Sequence, residues 1–307
     1  MSKHNILIVL AFLAIYLIWG TTYLVIVIGL ETLPPFTMAA IRFIMASILL
    51  LGYSFVKKES LPSLKALGKN ALIGVTVLAG GQGLLIWSEQ HIASGYASVL
   101  IATLPIWFVL LDKMNWSYYF RNPYILIGIA LGFIGIGILF GEKLGESTYQ
   151  TGGSIQIFAS VLVIIGGICW VAGTLYNRSY PAKGSIYRNL GLQLFFGFVS
   201  CLFIALITQE PISGVFQNTS FKSWLAVTYL AIAGSIIAYM AYTWLLNQIP
   251  SAIVGTYAYI NPIVAVFLGW FLANEEISKQ QLVGMAIVLI SAILINLNRT
   301  TKAKTQE

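Results

Sequence analysis

The sequence predicts an all-α integral membrane protein: ten transmembrane helices, arranged as two inverted five-helix repeats with both termini cytoplasmic. Three observations predict it. Hydrophobic residues fill 58% of the 307 positions and charged residues only 9%, against about 25% charged in soluble domains. Ten apolar runs are each long enough to cross a bilayer. The second half echoes the first at a shift of 157 residues, which carries Trp87 onto Trp244. So little charge excludes a soluble globular domain, and it equally excludes disorder, which needs a polar, highly charged chain.

The runs fall at 6–29, 34–56, 68–88, 94–112, 122–141, 155–177, 188–208, 222–246, 250–272 and 280–297. The first is too long for a signal-peptide core and has no Ala-x-Ala exit, so it reads as a retained helix. Ala71–Trp87 and Ile125–Phe140 are apolar throughout, where a barrel strand would alternate. In lipid, only a helix satisfies its backbone within one run. The connections are short, so function must lie in the helices or their turns.

Basic residues set the orientation. With a cytoplasmic N-terminus, thirteen fall inside, among them Lys3, Lys57, Lys58, Arg121, Arg178 and Arg188, and only Lys143, Lys222 and Lys279 fall outside. That is the positive-inside pattern, and two cytoplasmic ends require an even number of spans. The net charge of +7 therefore serves topology. No basic block or RNA-binding motif points to nucleic acid. Two cysteines and two histidines, scattered, offer no usual metal site, and no cofactor is expected.

The echo has an order. At the 157-residue shift Ile92 meets Ile249, Ser94 meets Ser251 and Pro105 meets Pro262. Near the start, Trp19-Gly-Thr-Thr is loosely repeated by Trp170-Val-Ala-Gly-Thr. Five helices per half make the second copy enter from the opposite face. The halves are expected at 1–145 and 150–299, with a short cytoplasmic tail at 300–307. Inverted repeats are frequent in secondary transporters, whose two similar packings exchange roles around a midplane site.

Within the runs, polar and aromatic residues are the candidates for that site. Arg42 lies about 12 Å into the second helix at 1.5 Å per residue. It would either bind an anionic solute group or make a structural bond to backbone carbonyls or to an acid such as Glu31; the structural role is preferred. Gln82, within Gly80-Gly-Gln-Gly83, pairs with Tyr239 at the repeat shift, and the two either flank a central site or act as interhelical glue. Trp19, Trp170, Tyr239, Tyr242 and Tyr257 are candidates for the cavity wall, and Asn261 would take up a backbone group freed by Pro262. Trp87, Trp116, Trp244 and Trp270 read as interface anchors.

Pro105 and Pro262 are expected to kink paired helices. Gly128-x-x-x-Gly132 and Gly137-x-x-x-Gly141 suit close packing, intramolecular rather than dimeric, so a monomer is expected. Glu89, Asp112, Glu275 and Glu276 lie at helix ends and are expected to be solvated. A buried coupling acid is not evident, and Glu89 is the nearest candidate.

Ile18-Trp-Gly-Thr-Thr-Tyr, Pro35-Phe-Thr-Met-Ala-Ala-Ile-Arg-Phe and Ser88-Glu-Gln-His-Ile-Ala-Ser-Gly together resemble the EamA-type branch of the drug/metabolite transporter superfamily. Leu104-Pro-Ile-Trp and Asn261-Pro-Ile-Val fit the same pattern. The resemblance covers nearly the whole chain. It implies a ten-helix inner-membrane carrier, usually an exporter of amino acids, metabolites or toxic compounds. It also implies a cavity lined mainly by the third, fourth, eighth and ninth helices. Where many members carry Gly-Glu after the fourth helix, this chain has Leu111-Asp-Lys-Met-Asn.

A secondary transporter is thus the expected function, with a small-molecule substrate and the bilayer as partners. The alternatives are an intramembrane lipid-modifying enzyme and a passive pore. The first lacks His-Glu-x-x-His and Gly-x-Ser-x-Gly, and no ring of filter charges is legible for the second. Gly-x-x-x-x-Gly-Lys-[ST] is absent, so no ATP site of that kind drives transport within the chain.

Overall fold

The computed structural model describes residues 3–151, 154–273 and 279–297. Among them the chain is helical, without strands. The ten apolar runs fall on α1 (Lys3–Leu30), α2 (Pro35–Val56), α3 (Leu64–Ser88), α4 (Ser94–Leu111), α5 (Pro123–Thr151), α6 (Ser154–Ser179), α7 (Ile186–Ile207), α8 (Phe221–Gln248), α9 (Tyr257–Ala273) and α10 (Lys279–Leu297). Seven of these are long and apolar enough to cross a membrane. An eighth candidate is the pair Lys113–Phe120 and Pro123–Ile138, bent by 94°. The tail 300–307, Glu275 and Glu276 lie outside the described residues, as do the side chain of Trp270 and the surroundings of Gly141.

The starts of several helices are written in the sequence. Pro35 occupies the first turn of α2, where its missing N–H costs nothing. Glu210 closes the same end by accepting from the backbone N–H groups of Phe36 (3.0 Å) and Thr37 (2.8 Å), a carboxylate at the positive end of a helix dipole. Ser63, Ser185 and Ser220 cap α3, α7 and α8, each accepting from a backbone N–H three residues on.

Ser63 and Ser220 are 157 residues apart. Both helices they open then widen into π-helical stretches, Gly74–Gly83 in α3 and Leu230–Ala238 in α8. Such turns are rare and recur at functional sites.

Packing follows pairs. α5 lies along α10 and α2 along α7; α1 packs on α8 and α9, and α6 on α3 and α4. Glycines set the closest approaches. A Cβ on Gly128 would fall 2.5 Å from Ile295 Cγ1, and one on Gly132 2.6 Å from Tyr259 Cζ. The Gly128/Gly132 seam is therefore intramolecular, as expected. Large apolar side chains such as Leu49, Phe55 and Phe203 cover the outside, the arrangement lipid requires.

The two prolines behave differently. The α4 ladder breaks at Ala102 and Thr103, and Pro105 sits in the first turn of the segment that restarts at Leu104. Pro262 is accommodated inside α9, while the break in that region comes earlier, at Gly255 and Thr256 between Ser251–Val254 and α9.

Candidate functional site

The two π-helical stretches meet at one side chain. Arg42, in the second turn of α2, is 2% exposed. Its Nε donates to Ser235 Oγ at 2.8 Å and its Nη1 to Gln82 Oε1 at 3.1 Å. Ser235 lies in the α8 stretch and Gln82 in the α3 stretch. A central Arg costs about 2.5–3.5 kcal/mol on insertion scales, and these neutral acceptors meet part of its demand. Arg42 therefore does not bond the partners expected from sequence. Glu31 instead pairs with Lys222 at 2.7 Å in an exposed position, where an ion pair contributes little.

Beside Arg42 the predicted aromatic residues form one cluster. The Trp19 ring lies 5.5 Å from Trp170, 5.1 Å from Tyr242 and 4.8 Å from Tyr257. Trp170 is 5.5 Å from Tyr242 and 6.1 Å from Tyr239. Contacts of this kind add about 0.5–1.5 kcal/mol per pair beyond burial. Their polar edges are matched. Trp19 Nε1 donates to the Gly234 carbonyl at 3.1 Å and Trp170 Nε1 to the Tyr242 hydroxyl at 3.1 Å. The Tyr242 hydroxyl donates on to Thr174 Oγ1 at 3.2 Å.

The cluster is seated by a close helix approach. A Cβ on Gly81 would lie 3.2 Å from Trp170 Cβ, and one on Gly166 3.1 Å from the Gly80 and Gly81 carbonyls. Glycine at these positions lets α6 come down onto α3 and brings Trp170 to the centre.

A cavity of ≈ 40 Å³ lies inside this ring, lined by Trp19, Gln82, Trp170, Tyr257 and Asn261 together with Thr22 and Tyr23. A space of that size admits a few waters and no metabolite. Tyr239 and Tyr242 stand behind Trp170, and Arg42 behind Gln82. All eight predicted cavity residues thus gather in one region, contributed by α1, α2, α3, α6, α8 and α9. Gln82 and Tyr239, paired by the repeat, do not bond each other; Tyr239 donates to Gln193 Oε1 at 2.8 Å. Asn261 is buried beside Tyr23 on the cavity wall, and its Oδ1 has no hydrogen-bond partner among the described residues.

Two acids depart from expectation. Glu89 and Asp112 are each only 6% exposed, not solvated. Glu89 follows the last residue of α3 and lies one turn beyond Leu85, which lines the cavity. Neither of its carboxyl oxygens has a hydrogen-bond partner among the described residues. Asp112 is buried because the short helix Trp116–Phe120 turns back over it. Its Oδ2 accepts from the Tyr119 hydroxyl at 2.7 Å and from Ser251 Oγ at 2.9 Å, with Arg178 Nη1 3.6 Å away. Asp112 thereby fastens the end of α4 to the end of α6 and the approach to α9.

Sequence reasoning missed a polar file leading into the core. Gln193 Nε2 donates to Asn70 Oδ1 (3.1 Å), Asn70 Nδ2 to Asn189 Oδ1 (3.2 Å) and Asn189 Nδ2 to the Ala182 carbonyl (2.9 Å). Amides inside apolar runs were the available signal, since lipid-facing positions do not hold them. A second cavity, of ≈ 190 Å³, opens beside this file where α6 ends and α7 begins.

Comparison with known proteins agrees with this architecture. The EamA-like transporter family matches residues 6–141 and again 157–297. Over 292 residues the chain is 33% identical to an uncharacterized inner membrane transporter, YedA, of Escherichia coli (strain K12), covering 94% of this chain and 90% of that one. It is 29% identical over 281 residues to an uncharacterized transporter of Archaeoglobus fulgidus, covering 90% and 91%. It is 21% identical over 290 residues to the uncharacterized transporter YoaV of Bacillus subtilis, covering 94% and 96%. One solved crystal structure, 16% identical, superposes with a TM-score of 0.72 over 96% of this chain and 98% of that one, and shares the fold.

Proposed function

The chain belongs to the EamA-like transporter family, and from that premise we propose that it is a secondary carrier of the inner membrane. It exports amino acids, metabolites or small toxic organic compounds by alternating access through the central cavity. Its ten helices cross as two inverted halves, 1–145 and 150–299, with both termini cytoplasmic. The names of its relatives point to transport rather than enzyme chemistry.

Four features support two inverted halves. The family matches twice. The caps of α3 and α8 and their π-helical stretches recur at the repeat shift. The packing pairs map onto themselves when the halves are exchanged: α2 with α7, α5 with α10, and α1 on α8 and α9 as α6 on α3 and α4. Five helices per copy invert the second.

The observation that carries the carrier reading is Arg42, which holds one π-helical stretch from each half beside the aromatic cluster. A buried polar centre built by both halves is where a solute can be passed from one side to the other. At ≈ 40 Å³ the cavity is too small for a metabolite, so this is a closed arrangement. Loading requires the rings around Trp19 and Trp170 to part, and the widened turns are the places to give. Glu89 is the coupling acid in this scheme. A buried carboxylate without partners is costly, so the site favours its proton-bearing form and gives up the proton when the outer end opens.

The test is flux in proteoliposomes against a panel of amino acids and organic cations. Transport of at least one class is expected, with loss in Arg42→Ala. No flux for any compound in either direction contradicts the proposal. Glu89→Gln should transport without responding to a pH gradient; an unchanged response removes Glu89 from coupling.

A further inference from the structure

We propose that the ≈ 190 Å³ cavity between the ends of α6, α7 and α8 is a second solute site, which takes small carboxylates and loosens the aromatic cluster when filled. This inference rests on the carrier reading for its purpose and on the geometry of the cavity for its chemistry.

The lining combines apolar side chains such as Ile186, Leu190 and Leu246 with several hydrogen-bond donors. Asn177, Asn189, Gln193 and Asn247 bring four amides, and Arg178 is the one charged side chain among the described lining residues. Among the described residues Arg178 makes its hydrogen bond and its ion pair through Nη1, to Ser251 Oγ at 2.5 Å and towards Asp112 at 3.6 Å, both outside the lining. A guanidinium has five N–H donors in a planar fork, so most of that fork is left for an acceptor. One cation among amide N–H groups recognises a carboxylate. The volume falls below the roughly 300–1,000 Å³ of sites for drug-sized ligands, which limits the guest to a few carbons.

Two lining residues also serve the central cluster. Thr174 Oγ1 accepts from the Tyr242 hydroxyl, and Gln193 Oε1 accepts from the Tyr239 hydroxyl. Gln193 is held in that orientation because its Nε2 donates to Asn70, the next link in the file to Ala182. A carboxylate seated in the cavity is a stronger acceptor than the Asn70 amide oxygen. Drawing Gln193 Nε2 to itself, it turns the amide and takes the Oε1 acceptor away from Tyr239. Guest and tyrosine thus compete for one side chain, and such competition is a coupling free energy that acts in both directions. Filling this site favours parting of the rings over the central cavity, and closing the rings expels the guest.

Reciprocity supplies the test. Binding of butyrate and L-lactate, with butyramide and lactamide as uncharged controls, is measured by calorimetry on the purified full-length protein in detergent. The carboxylates are expected to bind and the amides not. Asn247→Asp, which keeps the side-chain size and adds a negative charge to the lining, should weaken carboxylate binding at least tenfold. Tyr239→Phe, which removes the competitor for Gln193, should tighten it several-fold, an effect that a merely structural hydroxyl would not produce. Equal binding of acids and amides, no binding at all, or a Tyr239→Phe variant of unchanged or weaker affinity would overturn the proposal. Flux in proteoliposomes is read separately. A protein that transports but binds no carboxylate here loses this site and keeps the carrier function, and one that binds carboxylates without any flux does the reverse.

Discussion

The α5–α10 pair and the centre of the bundle are both tightly packed, by opposite means. Along α5, Gly128, Gly132 and Gly135 receive Ile295, Tyr259 and Val288 at distances that leave no room for a side chain. Among the described residues the side-chain hydrogen bonds there include the Tyr259 hydroxyl to the Ile129 carbonyl at 3.2 Å and Gln280 Nε2 to the Ile138 carbonyl at 2.9 Å. At the centre, Arg42 bonds the half-buried Gln82 and the buried Ser235, while a separate set joins Gln193 to Tyr239, and Tyr242 bonds Trp170 and Thr174. Small residues suffice to hold helices together in lipid. Buried polar groups there are costly. Where a fold concentrates them beyond what packing needs, it carries its chemistry, and the glycine-lined α5–α10 pair serves as frame.

If this division is right, breaking each region should fail differently. Arg42→Ala should have the largest effect, lowering proteoliposome flux at least a hundredfold while the protein still inserts and purifies; near-normal flux would put the chemistry elsewhere. Gly132→Leu is the mirror image. Overpacking of this kind costs about 1–3 kcal/mol, so the melting temperature in detergent should drop by several degrees while flux per folded molecule stays close to wild type. Tyr242→Phe sharpens the comparison within the centre. It removes the acceptor for Trp170 and the donor to Thr174, each bond contributing about 0.5–1.5 kcal/mol. Flux should fall several-fold through a raised KM, with stability little changed.

The smallest effect belongs to a surface clasp between α2 and α7. Glu59 accepts from Ser185 Oγ and Ser54 Oγ, both at 2.5 Å. Those hydrogen bonds, the Ser185 one foremost, hold its carboxyl below the usual glutamate range, with Arg188 adding to them. A depressed carboxyl stabilises the fold at pH values above its ordinary range and loses that contribution as pH falls through the lowered value. Wild type and Glu59→Gln should therefore melt slightly apart at neutral pH and converge in acid. A difference that persisted in acid would assign the clasp to packing.

Much of this was legible in the sequence, because lipid simplifies the code. Continuous apolar runs gave most helices within a few residues, though α5 continues to Thr151 and α9 starts only at Tyr257, and the aromatic residues Trp19, Trp170, Tyr239, Tyr242 and Tyr257 do converge. Burial at helix ends was not legible. Glu89 and Asp112 sit where a run stops, which suggests water, but a neighbouring short helix covers Asp112 and Glu89 is buried at the end of α3. The partners of Arg42 were equally hidden, since Ser235 lies 193 residues away and its approach depends on a π-helical widening with no sequence signature beyond glycine. The interruption at Gly255 and Thr256, ahead of Pro262, was equally unmarked.

The central claim is that one solute pocket, shared by both halves, is exposed to the two faces in turn. Solute counterflow tests it most directly. Proteoliposomes preloaded with a transported compound should take up the labelled compound transiently above equilibrium, with saturation, and Arg42→Ala should abolish the overshoot. Uptake that rises linearly with concentration and never overshoots would mean an open pore and contradict the account.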